Sequence, residues 1–453
     1  MNNKLFDEFA PVSEKEWKQR IQVDLKGADY NESLIWKSPE GIHVKPFYTK
    51  QDLNNQVLNP ETKTTSWKIC QTIYVADAKL SNKKALEILK KGVDSLRFII
   101  PSKDTSMEIL LENIPLDTEL YFNLQFLNAE FVSTLRRLSK ERTVFFEIDI
   151  IEHLSRTGNW FNSLKADHEQ LDVIFLSSNQ NTLHVDATLY QNAGANIVQQ
   201  LAYTLAHTNE YLNHFKSNLN GETSFSFHFS VGSNYFFEIS KLKAFRIMFS
   251  KMAKEYGINK YCHILVSPSK RNKTLYDYNT NMLRTTTEYM SAILGGADCV
   301  NTLAYDEIYH KTNEFGERIA RNQLLILKHE SYFNYVDNPT DGAYYIEDLT
   351  YELSEKAEKI HIEILSSGGF LKQLKEGTIQ KKIKESSEKE QALFDEGKVV
   401  LLGSNKHPNP KDKMNDELEI YPFVKQRHEK TLIEPIVSKR LAENLEQTRL
   451  KTE

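Results

Sequence analysis

Four side chains able to take part in catalysis or metal binding lie in short apolar runs of the sequence. His184 and Asp186 alternate with apolar neighbours in one run, His228 lies in a second and His263 in a third. Two histidines and one carboxylate can bind a metal ion that keeps open coordination positions. His228 beside Asp186 can instead transfer a proton as an acid/base pair. Any strand with one polar face produces the same alternation, so histidines that are hydrogen-bonded within the core are the third interpretation.

Common catalytic and phosphate-binding motifs are absent from the sequence. It contains no GxxxxGK[ST] loop and no GxGxxG after a candidate strand, and neither HExxH nor GxSxG occurs. Cys70, Cys262 and Cys299 are too far apart for a CxxC pair, which argues against a zinc ribbon or a redox motif. The segment from Tyr190 to Ala195 follows a candidate strand, where barrel enzymes place active-site loops, but it is equally typical of a turn of small residues.

The composition is that of a folded globular chain. Its 453 residues include 57 Lys and Arg against 62 Asp and Glu, a net charge of −5. This mild acidity gives no electrostatic basis for binding nucleic acid or an anionic membrane. No secretory signal begins the sequence, and no run approaches the ~20 apolar residues of a membrane span. Because the three cysteines show no disulfide framework, we expect a cytoplasmic location.

Eight apolar runs alternate with helical patterns in the first two thirds of the chain. Repeated strand–helix units predict a parallel sheet, and eight such units close a barrel. The sequence therefore predicts a (β/α)8 TIM barrel over 61–311, with an N-terminal arm over 1–60, a helical extension over 312–403 and a charged C-terminal tail over 404–453. The least regular connection lies at 150–181, which lacks a clear amphipathic period. The predicted strands are 67–75, 95–101, 120–127, 143–150, 182–188, 224–232, 261–267 and 299–305.

Polar side chains alternate with apolar ones within these strands, whereas parallel barrel strands usually read as continuous apolar runs. The apolar set must face the helices, so the polar set, which includes Arg97, Glu147, His184 and Ser226, points into the barrel. Such an interior holds either a ligand-bearing channel or a buried hydrogen-bonded network. In the network, Arg97 would neutralise Glu147 or Asp149.

Segments along nearly the whole chain resemble the methylmalonyl-CoA mutase family, in the same order. The start of the chain is similar to that family's N-terminal arm, which wraps a partner chain, in FAPVSEKEWKQRIQVDLKG. The family's last barrel units resemble NYFFEISKLKAFRIMFSKMAKEYG and YNTNMLRTTTEYMSAILGGADCVNTLAYDE. The helical segment after its barrel resembles ERIARNQLLILKHES, DNPTDGAYYIEDLTYELSEKA, SSGGFLKQLKEG and LLGSNKH. Because the similarity is colinear, it is far more specific than a single motif.

The resemblance implies a (β/α)8 barrel with a hollow axis, lined by small polar residues, through which the pantetheine arm of an acyl-CoA passes. It also implies adenosylcobalamin as the cofactor, held by a separate C-terminal flavodoxin-like domain whose DxHxxG motif supplies the cobalt ligand. No DxHxxG occurs in this sequence, which ends about where that domain would begin. We therefore expect a chain without a cobalamin-binding domain, whose complex binds the cofactor through a partner.

Several positions depart from the pattern of the family's catalytic chains. The catalytic histidine precedes a QEAGA segment, and alignment of that segment with 191–195 puts Leu189 in the histidine's place. Leucine cannot donate a hydrogen bond to the thioester carbonyl. An arginine-glutamine-tyrosine segment aligns with Cys70, Gln71 and Thr72, so its arginine and its tyrosine are both replaced. The Ser-Gly-Trp segment expected after strand seven is missing from SPSKRNKTLYD.

These departures imply the small, non-catalytic subunit of the family's heterodimeric bacterial enzymes. Such a chain pairs with a homologous large subunit that interconverts (R)-methylmalonyl-CoA and succinyl-CoA, an isomerase reaction. Acyl-CoA would then bind through the partner, and we expect no catalytic, cofactor-binding or metal-binding residue on this chain. Neither nucleic acid nor a membrane is an expected partner.

Three alternatives stay open. One is an acyl-CoA-binding mutase half that works with a separate cobalamin-binding chain, against which Leu189 and Thr72 argue. A second is a binding or chaperone-like factor for the mutase; the known chaperone type hydrolyses nucleotide, and the sequence has no phosphate loop. The third is an unrelated barrel hydrolase that uses His228 and Asp186.

Overall fold

The computed structural model describes residues 8–53, 62, 64–177, 183–425 and 429–453. Within these ranges the chain forms ten strands and sixteen α-helices. The strands are β1 (Trp36–Lys37), β2 (His43–Val44), β3 (Lys68–Tyr74), β4 (Ser95–Ile100), β5 (Glu119–Leu124), β6 (Val144–Glu147), β7 (Leu183–Asp186), β8 (Phe225–Val231), β9 (His263–Pro268) and β10 (Cys299–Asn301). The helices are α1 (Glu14–Asp24), α2 (Tyr30–Leu34), α3 (Ala78–Leu89), α4 (Met107–Leu110), α5 (Ala129–Leu138), α6 (Ile150–Thr157), α7 (Leu164–Leu176), α8 (Thr188–Asn192), α9 (Ile197–His214), α10 (Tyr235–Tyr256), α11 (Thr280–Leu294), α12 (Glu314–His329), α13 (Tyr344–Ser366), α14 (Phe370–Lys375), α15 (Thr378–Asp395) and α16 (Glu443–Leu450).

Strands β3 to β10 form one sheet that curves into a barrel. The hydrogen-bonded order is β6-β5-β4-β3-β10-β9-β8-β7, and every pairing along it is parallel. The two end strands, β6 and β7, contact each other without a hydrogen-bonded ladder between their described residues. The predicted (β/α)8 barrel is therefore confirmed, and it is closed except for a seam between β6 and β7.

Strand β8 shows why the barrel strands have one apolar face. Phe225, Phe227 and Phe229 point outward onto α10, where the rings of Phe227 and Phe245 meet edge to face with centroids 4.6 Å apart. Burial of aromatic side chains of this size supplies much of the hydrophobic free energy that holds a helix on a sheet. Successive side chains of a strand alternate between its faces, so the serines and the histidine between these rings point to the barrel axis.

Helix α10 ends at Gly257, whose backbone is left-handed with φ +66°. No atom lies within 4 Å of the position a Cβ would take, so Gly257→Ala is expected to cost only the conformational term, about 1–2 kcal/mol of unfolding free energy. Gly221→Ala is the matched control, because its surroundings are equally open and its φ lies outside the left-handed region. There alanine should be neutral or stabilise by up to ~1 kcal/mol. Urea denaturation measures both variants, and equal effects would refute the assigned strain.

Two helices lie where the sequence showed no clear amphipathic period. Helix α6 begins after Asp149, whose carboxylate accepts hydrogen bonds from two backbone N–H groups of the first turn. Helix α7 begins after Ser163, whose hydroxyl accepts one. The apolar period of α7 is obscured because Val173 and Leu176 are exposed. Helix α7 is therefore marked by its N-terminal cap rather than by periodicity, whereas α6 has both a cap and one apolar face, on which Ile150, Ile151 and Leu154 are buried.

The N-terminal arm lies partly on the chain's own barrel. Tyr30 and Ile42 are buried, and Trp36 packs edge to face on Phe237 of α10 with ring centroids 5.6 Å apart. Helix α1, in contrast, has no buried residue, and Trp17 is 56% exposed. The first helix of the arm thus presents apolar surface that the described part of the chain does not cover.

After the barrel, the chain continues as α12 to α15, and α13 packs against α9 and α10. No helix among the described residues combines the length and the apolarity needed to cross a membrane.

The Tyr190–Ala195 segment packs against α15 at Gly194, where a Cβ would lie 2.6 Å from the Cβ of Ser387. A small residue is required there because the two segments approach so closely.

Residues 431–446, which we name the C-terminal strap, cross the carboxyl-end mouth of the barrel. Their backbone N–H groups donate to carbonyl oxygens in the segments that follow β6, β7 and β9. These bonds join Ile436 to Ser155 at 2.7 Å, Lys439 to Asn192 at 3.0 Å and Leu441 to Arg271 at 2.8 Å. Although the sequence shows a charged tail here, four apolar residues of the strap are buried, namely Ile433, Ile436, Leu441 and Ala442. The strap is therefore an integral part of the packed body.

Candidate functional site

Side chains fill the amino-end half of the barrel axis. Five of them form a separate cluster inside the strands, each at most 4% exposed: Cys70, Tyr121, Phe145, Leu265 and Cys299. The rings of Tyr121 and Phe145 stack with centroids 4.9 Å apart, and Phe145 stacks on His263 at 3.9 Å. We name these five residues and His263 the axial plug, since they close the axis at this end.

Hydrogen bonds satisfy the polar atoms of the axial plug. The Tyr121 hydroxyl donates to Glu119 and lies 2.6 Å from His263 Nε2. Lys68 Nζ donates to the same carboxylate at 2.8 Å. Burial lowers the pKa of His263, although the charges of Asp298 and Glu119 act in the opposite direction. At neutral pH the imidazole is therefore uncharged and packs as a ring against Phe145.

Above the axial plug, Arg97 and Glu147 form a buried ion pair. Arg97 Nε donates to Glu147 Oε1 at 2.8 Å and Nη2 donates to Oε2 at 2.6 Å, while Asn123 Nδ2 donates to Oε2 at 3.0 Å. Burial alone would raise the pKa of Glu147, but the Arg97 charge and its hydrogen bonds lower it to about 2. The predicted neutralisation of Arg97 is confirmed with Glu147. Asp149 instead caps α6 and accepts from His207 Nε2 at 3.0 Å.

The structure separates the four predicted metal or acid/base residues. His184 Nδ1 lies 2.9 Å from Ser226 Oγ, and His228 Nε2 lies 2.7 Å from Ser267 Oγ. His228 Nδ1 is 3.8 Å from Asp186 Oδ2, too far for a hydrogen bond. Burial lowers the pKa of His228 to about 4. His263 belongs to the axial plug, and the described residues contain no group of three or more His, Cys, Asp or Glu side chains placed to bind a metal.

Leu189, which aligns with the catalytic histidine of the resembled family, lies in helix α8. It is 4% exposed and belongs to the main hydrophobic core. After it, Gln191 Nε2 donates to Glu238 Oε1 at 3.2 Å. These contacts hold α8 and the turn after it against the core.

The three residues aligned with arginine-glutamine-tyrosine serve different parts of the structure. Cys70 is in the axial plug. Gln71 points outward and accepts a hydrogen bond from Arg321 Nη1 at 3.0 Å. Thr72 points inward and donates to Asn301 Oδ1 at 2.9 Å. None of the three presents a cationic or aromatic group to the interior.

A cavity of about 440 Å³ opens beside the axis, at the seam between β6 and β7. We name it the seam cavity. Glu152 and Arg156 both line this cavity. Burial raises the pKa of Glu152 to about 8, although the positive charge of Arg156 acts to lower it. The residues that line the seam cavity include neither serine nor cysteine, so the cavity offers a polar binding site without a serine or cysteine nucleophile. Its charged and histidine lining includes Glu147, Asp149, Glu152, Arg156, His184 and Asp186.

The polar alternation in the sequence identifies Glu147, Asp149, His184 and Asp186 of this lining, but it does not point to Glu152 and Arg156. These two lie on α6, in the stretch without a clear period. Their i, i+4 spacing after the capping residue Asp149 was the available signal, and their side chains pair at 2.7 Å.

Comparison with known proteins places these observations in a family. The family model described as methylmalonyl-CoA mutase matches residues 103–451, which include six of the eight barrel strands, β5 to β10. The match also extends through the helical extension and the C-terminal strap.

Individual relatives agree with the family model. The chain is 32% identical over 489 residues to the methylmalonyl-CoA mutase small subunit of Porphyromonas gingivalis, covering 99% of this chain and 78% of that protein. It is 29% identical over 466 residues to the methylmalonyl-CoA mutase of Cereibacter sphaeroides, covering 89% and 65%. With the methylmalonyl-CoA mutase large subunit of Streptomyces virginiae it shares 25% identity over 470 residues, covering 90% and 64%. The chain thus spans less than two thirds of the length of the last two relatives, and on the combined match it belongs to the methylmalonyl-CoA mutase family.

Proposed function

We propose that this chain is the small, non-catalytic subunit of an adenosylcobalamin-dependent methylmalonyl-CoA mutase. Its partner would be a homologous large subunit that interconverts (R)-methylmalonyl-CoA and succinyl-CoA. The observation that carries the proposal is the axial plug. Tyr121, Phe145 and His263 stack across the route that a pantetheine arm takes through a hollow barrel of this family.

Opening that route would require large rearrangements. The plug side chains are buried and packed, and a well-packed core does not open without losing several kcal/mol per large side chain. Above the plug, the Arg97–Glu147 ion pair with Asn123 occupies the next part of the interior. A pantetheine arm that entered along the axis would therefore meet the axial plug, which disfavours the alternative of an acyl-CoA-binding mutase half.

The positions that would carry the chemistry support the same proposal. Leu189, in the place of the catalytic histidine, has no hydrogen-bond donor on its side chain and is buried in the core. Thr72 and Cys70 stand where the family has an aromatic and a cationic side chain. Without these groups, the chain cannot polarise the thioester carbonyl or wedge the substrate.

The described residues also do not fit a cobalamin. The carboxyl-end mouth is crossed by the C-terminal strap. Two histidines line the seam cavity: His184 is only 2% exposed, and the ring of His153 is stacked on Phe161 with centroids 3.5 Å apart. A cobalt ligand has to reach the metal with a free imidazole nitrogen at an open surface. We propose that adenosylcobalamin in the complex is bound by the large subunit.

The role left to this chain is to stabilise the catalytic partner by binding it. Helix α1, which has no buried residue, offers apolar surface for that contact, with Trp17 56% and Val23 67% exposed. Aromatic anchors of this kind often dominate the binding energy of an interface. We further propose a cytoplasmic location, since the three cysteines are all buried as free thiols.

Co-expression with the large subunit of the same organism tests the proposal. We expect the two chains to elute as a 1:1 complex with mutase activity, while the isolated chain supplied with adenosylcobalamin shows neither activity nor acyl-CoA binding. Trp17→Ala should weaken the complex by about tenfold or more, because it removes a candidate anchor. Tyr335→Ala, which changes a 70% exposed tyrosine outside the arm, is the control.

Two results would contradict the proposal. One is turnover by this chain with a separate cobalamin-binding protein, which would favour the mutase-half alternative. The other is a chain that stays monomeric in the presence of the large subunit, as measured by light scattering.

A further inference from the structure

The seam cavity has an unusual balance of charge. Its lining contains four carboxyl groups, Glu147, Asp149, Glu152 and Asp186, and one guanidinium group, that of Arg156. Because burial raises the pKa of Glu152 to about 8, that carboxyl group is largely protonated at pH 7, and Arg97 beside Glu147 adds a second guanidinium group. Three carboxylates then face two cationic groups, and this excess of one negative charge favours a cation over an anion. The cavity therefore disfavours a carboxylate or a phosphate as its ligand.

Three of the four carboxyl groups already have partners within the protein. Glu147 pairs with Arg97, and Glu152 pairs with Arg156. Asp149 Oδ1 accepts from the first turn of α6, and its Oδ2 accepts from a backbone N–H of β7. These groups shape the cavity without needing a ligand.

Asp186 differs from the other three. Its Oδ1 accepts hydrogen bonds from Thr188 N–H at 2.9 Å and from Thr188 Oγ1 at 2.6 Å. Its Oδ2 has no hydrogen-bond donor among the described residues, and His228 Nδ1 lies 3.8 Å from it. One carboxylate oxygen at the cavity wall is therefore left to accept from a ligand.

A second atom without a partner belongs to another residue of the same lining. His184 is 2% exposed and lines the cavity, and its Nε2 has no hydrogen-bond partner among the described residues. Its Nδ1 lies 2.9 Å from Ser226 Oγ. When Nδ1–H donates to that hydroxyl, Nε2 carries a lone pair and accepts a hydrogen bond. A buried polar atom of this kind is usually paired in a native protein.

From these observations we infer that the seam cavity binds the head of a small primary ammonium compound. The ammonium group would donate to Asp186 Oδ2 and to His184 Nε2. Its alkyl part would lie against Phe126 and Phe161, which also line the cavity. Phe161 is held in place by His153, whose ring stacks on it with centroids 3.5 Å apart. Carboxylates beside aromatic faces are a common way for proteins to bind organic cations.

Other ligand classes fit the described atoms less well. The described residues contain no cluster placed to hold a metal ion. A neutral alcohol would donate a weaker hydrogen bond to Asp186 Oδ2 than an ammonium group does, and a carboxylic acid anion would meet like charges. The inference does not depend on the proposed subunit role, because the seam cavity lies beside the plugged axis.

Titration calorimetry of the full chain at pH 7 with butylammonium, butanol and butyrate tests the inference. We expect butylammonium to bind at least about tenfold more tightly than the alcohol, and butyrate not to bind. Asp186→Asn should lose about tenfold in affinity for butylammonium, whereas Asp348→Asn, which changes a half-buried carboxylate of α13 away from the cavity, should not. Circular dichroism and thermal melting establish that each variant is folded.

A measurement on the unaltered protein keeps the inference testable if the Asp186 variant does not fold. With ¹⁵N-labelled histidine, butylammonium should shift the imidazole resonances of His184. Those of His361, a buried histidine of α13 whose Nε2 also has no described partner, should stay in place. No binding of butylammonium, equal binding of butanol or butyrate, or an unshifted His184 would each overturn the inference.

Discussion

Glu147→Gln is expected to lower the free energy of unfolding by about 3–5 kcal/mol, because it removes one partner of a buried ion pair. Arg97 would keep its charge inside the barrel, where only neutral amide oxygens remain to face its Nε and Nη2 donors. In the present geometry three hydrogen bonds, of 2.8, 2.9 and 2.6 Å, join Arg97 to Glu147, and the Glu147 side chain is 1% exposed. Chemical denaturation followed by circular dichroism measures the loss.

Glu87→Gln is the matched control for this change. Glu87 also pairs with a cationic side chain, Lys91 at 2.7 Å, but the pair is on the surface of the protein. Exposed ion pairs of this kind contribute 0 to ~1 kcal/mol to the free energy of unfolding. The Glu87→Gln variant should therefore unfold at nearly the same denaturant concentration as the wild type. If both variants lost the same stability, the buried pair would not have the role assigned to it.

The same pair predicts how stability depends on pH. The folded-state pKa of Glu147, about 2, is below its ordinary value of 4.5, so its contribution is present above pH 4.5 and is lost as the pH falls towards 2. His228, with a folded-state pKa of about 4 against 6.5, reduces stability between pH 6.5 and 4 in both wild type and variant. The stability curves of wild type and Glu147→Gln should therefore converge only below about pH 4.5.

Arg440→Met is expected to destabilise the protein by about 3–5 kcal/mol and to release the C-terminal strap. Arg440 Nη1 lies 2.6 Å from Glu446 Oε2, and the Glu446 side chain is fully buried. The other Glu446 oxygen accepts from Leu275 N–H at 2.8 Å. Without the guanidinium, a carboxylate would be left in the core with a single hydrogen bond, which favours detachment of the whole segment.

Limited proteolysis measures that release directly. In the variant, cleavage within residues 431–453 should precede cleavage of the barrel, whereas the wild-type strap should resist until the barrel unfolds. Lys451→Met changes an exposed cation near the end of the same segment and is the control. A strap that is cleaved equally slowly in all three proteins would show that the Arg440–Glu446 pair does not hold it.

Much of the architecture followed from local patterns. The eight barrel strands were predicted because strands of alternating polarity are short and are bounded by helical segments. The inward set, including Arg97 and His228, followed from the alternation of side chains along a strand. The colinear resemblance indicated the family, which residues 103–451 match. Helix α7 was not evident because its cap is a single residue and the exposed Val173 and Leu176 break its apolar period. Helix α6 was not evident because its 8 residues are too few to repeat an apolar period.

The sequence by itself determined which side chains face the axis, since that depends only on the two-residue period of each strand. Only the tertiary structure decided what they meet there, because closing the barrel brings together residues far apart in the chain. It paired Arg97 with Glu147 and left Asp149 to cap α6. It stacked Phe145 on His263 to plug the axis, and it left the seam between β6 and β7 open as a cavity. The register between neighbouring strands sets these contacts, and no pattern within one strand encodes that register.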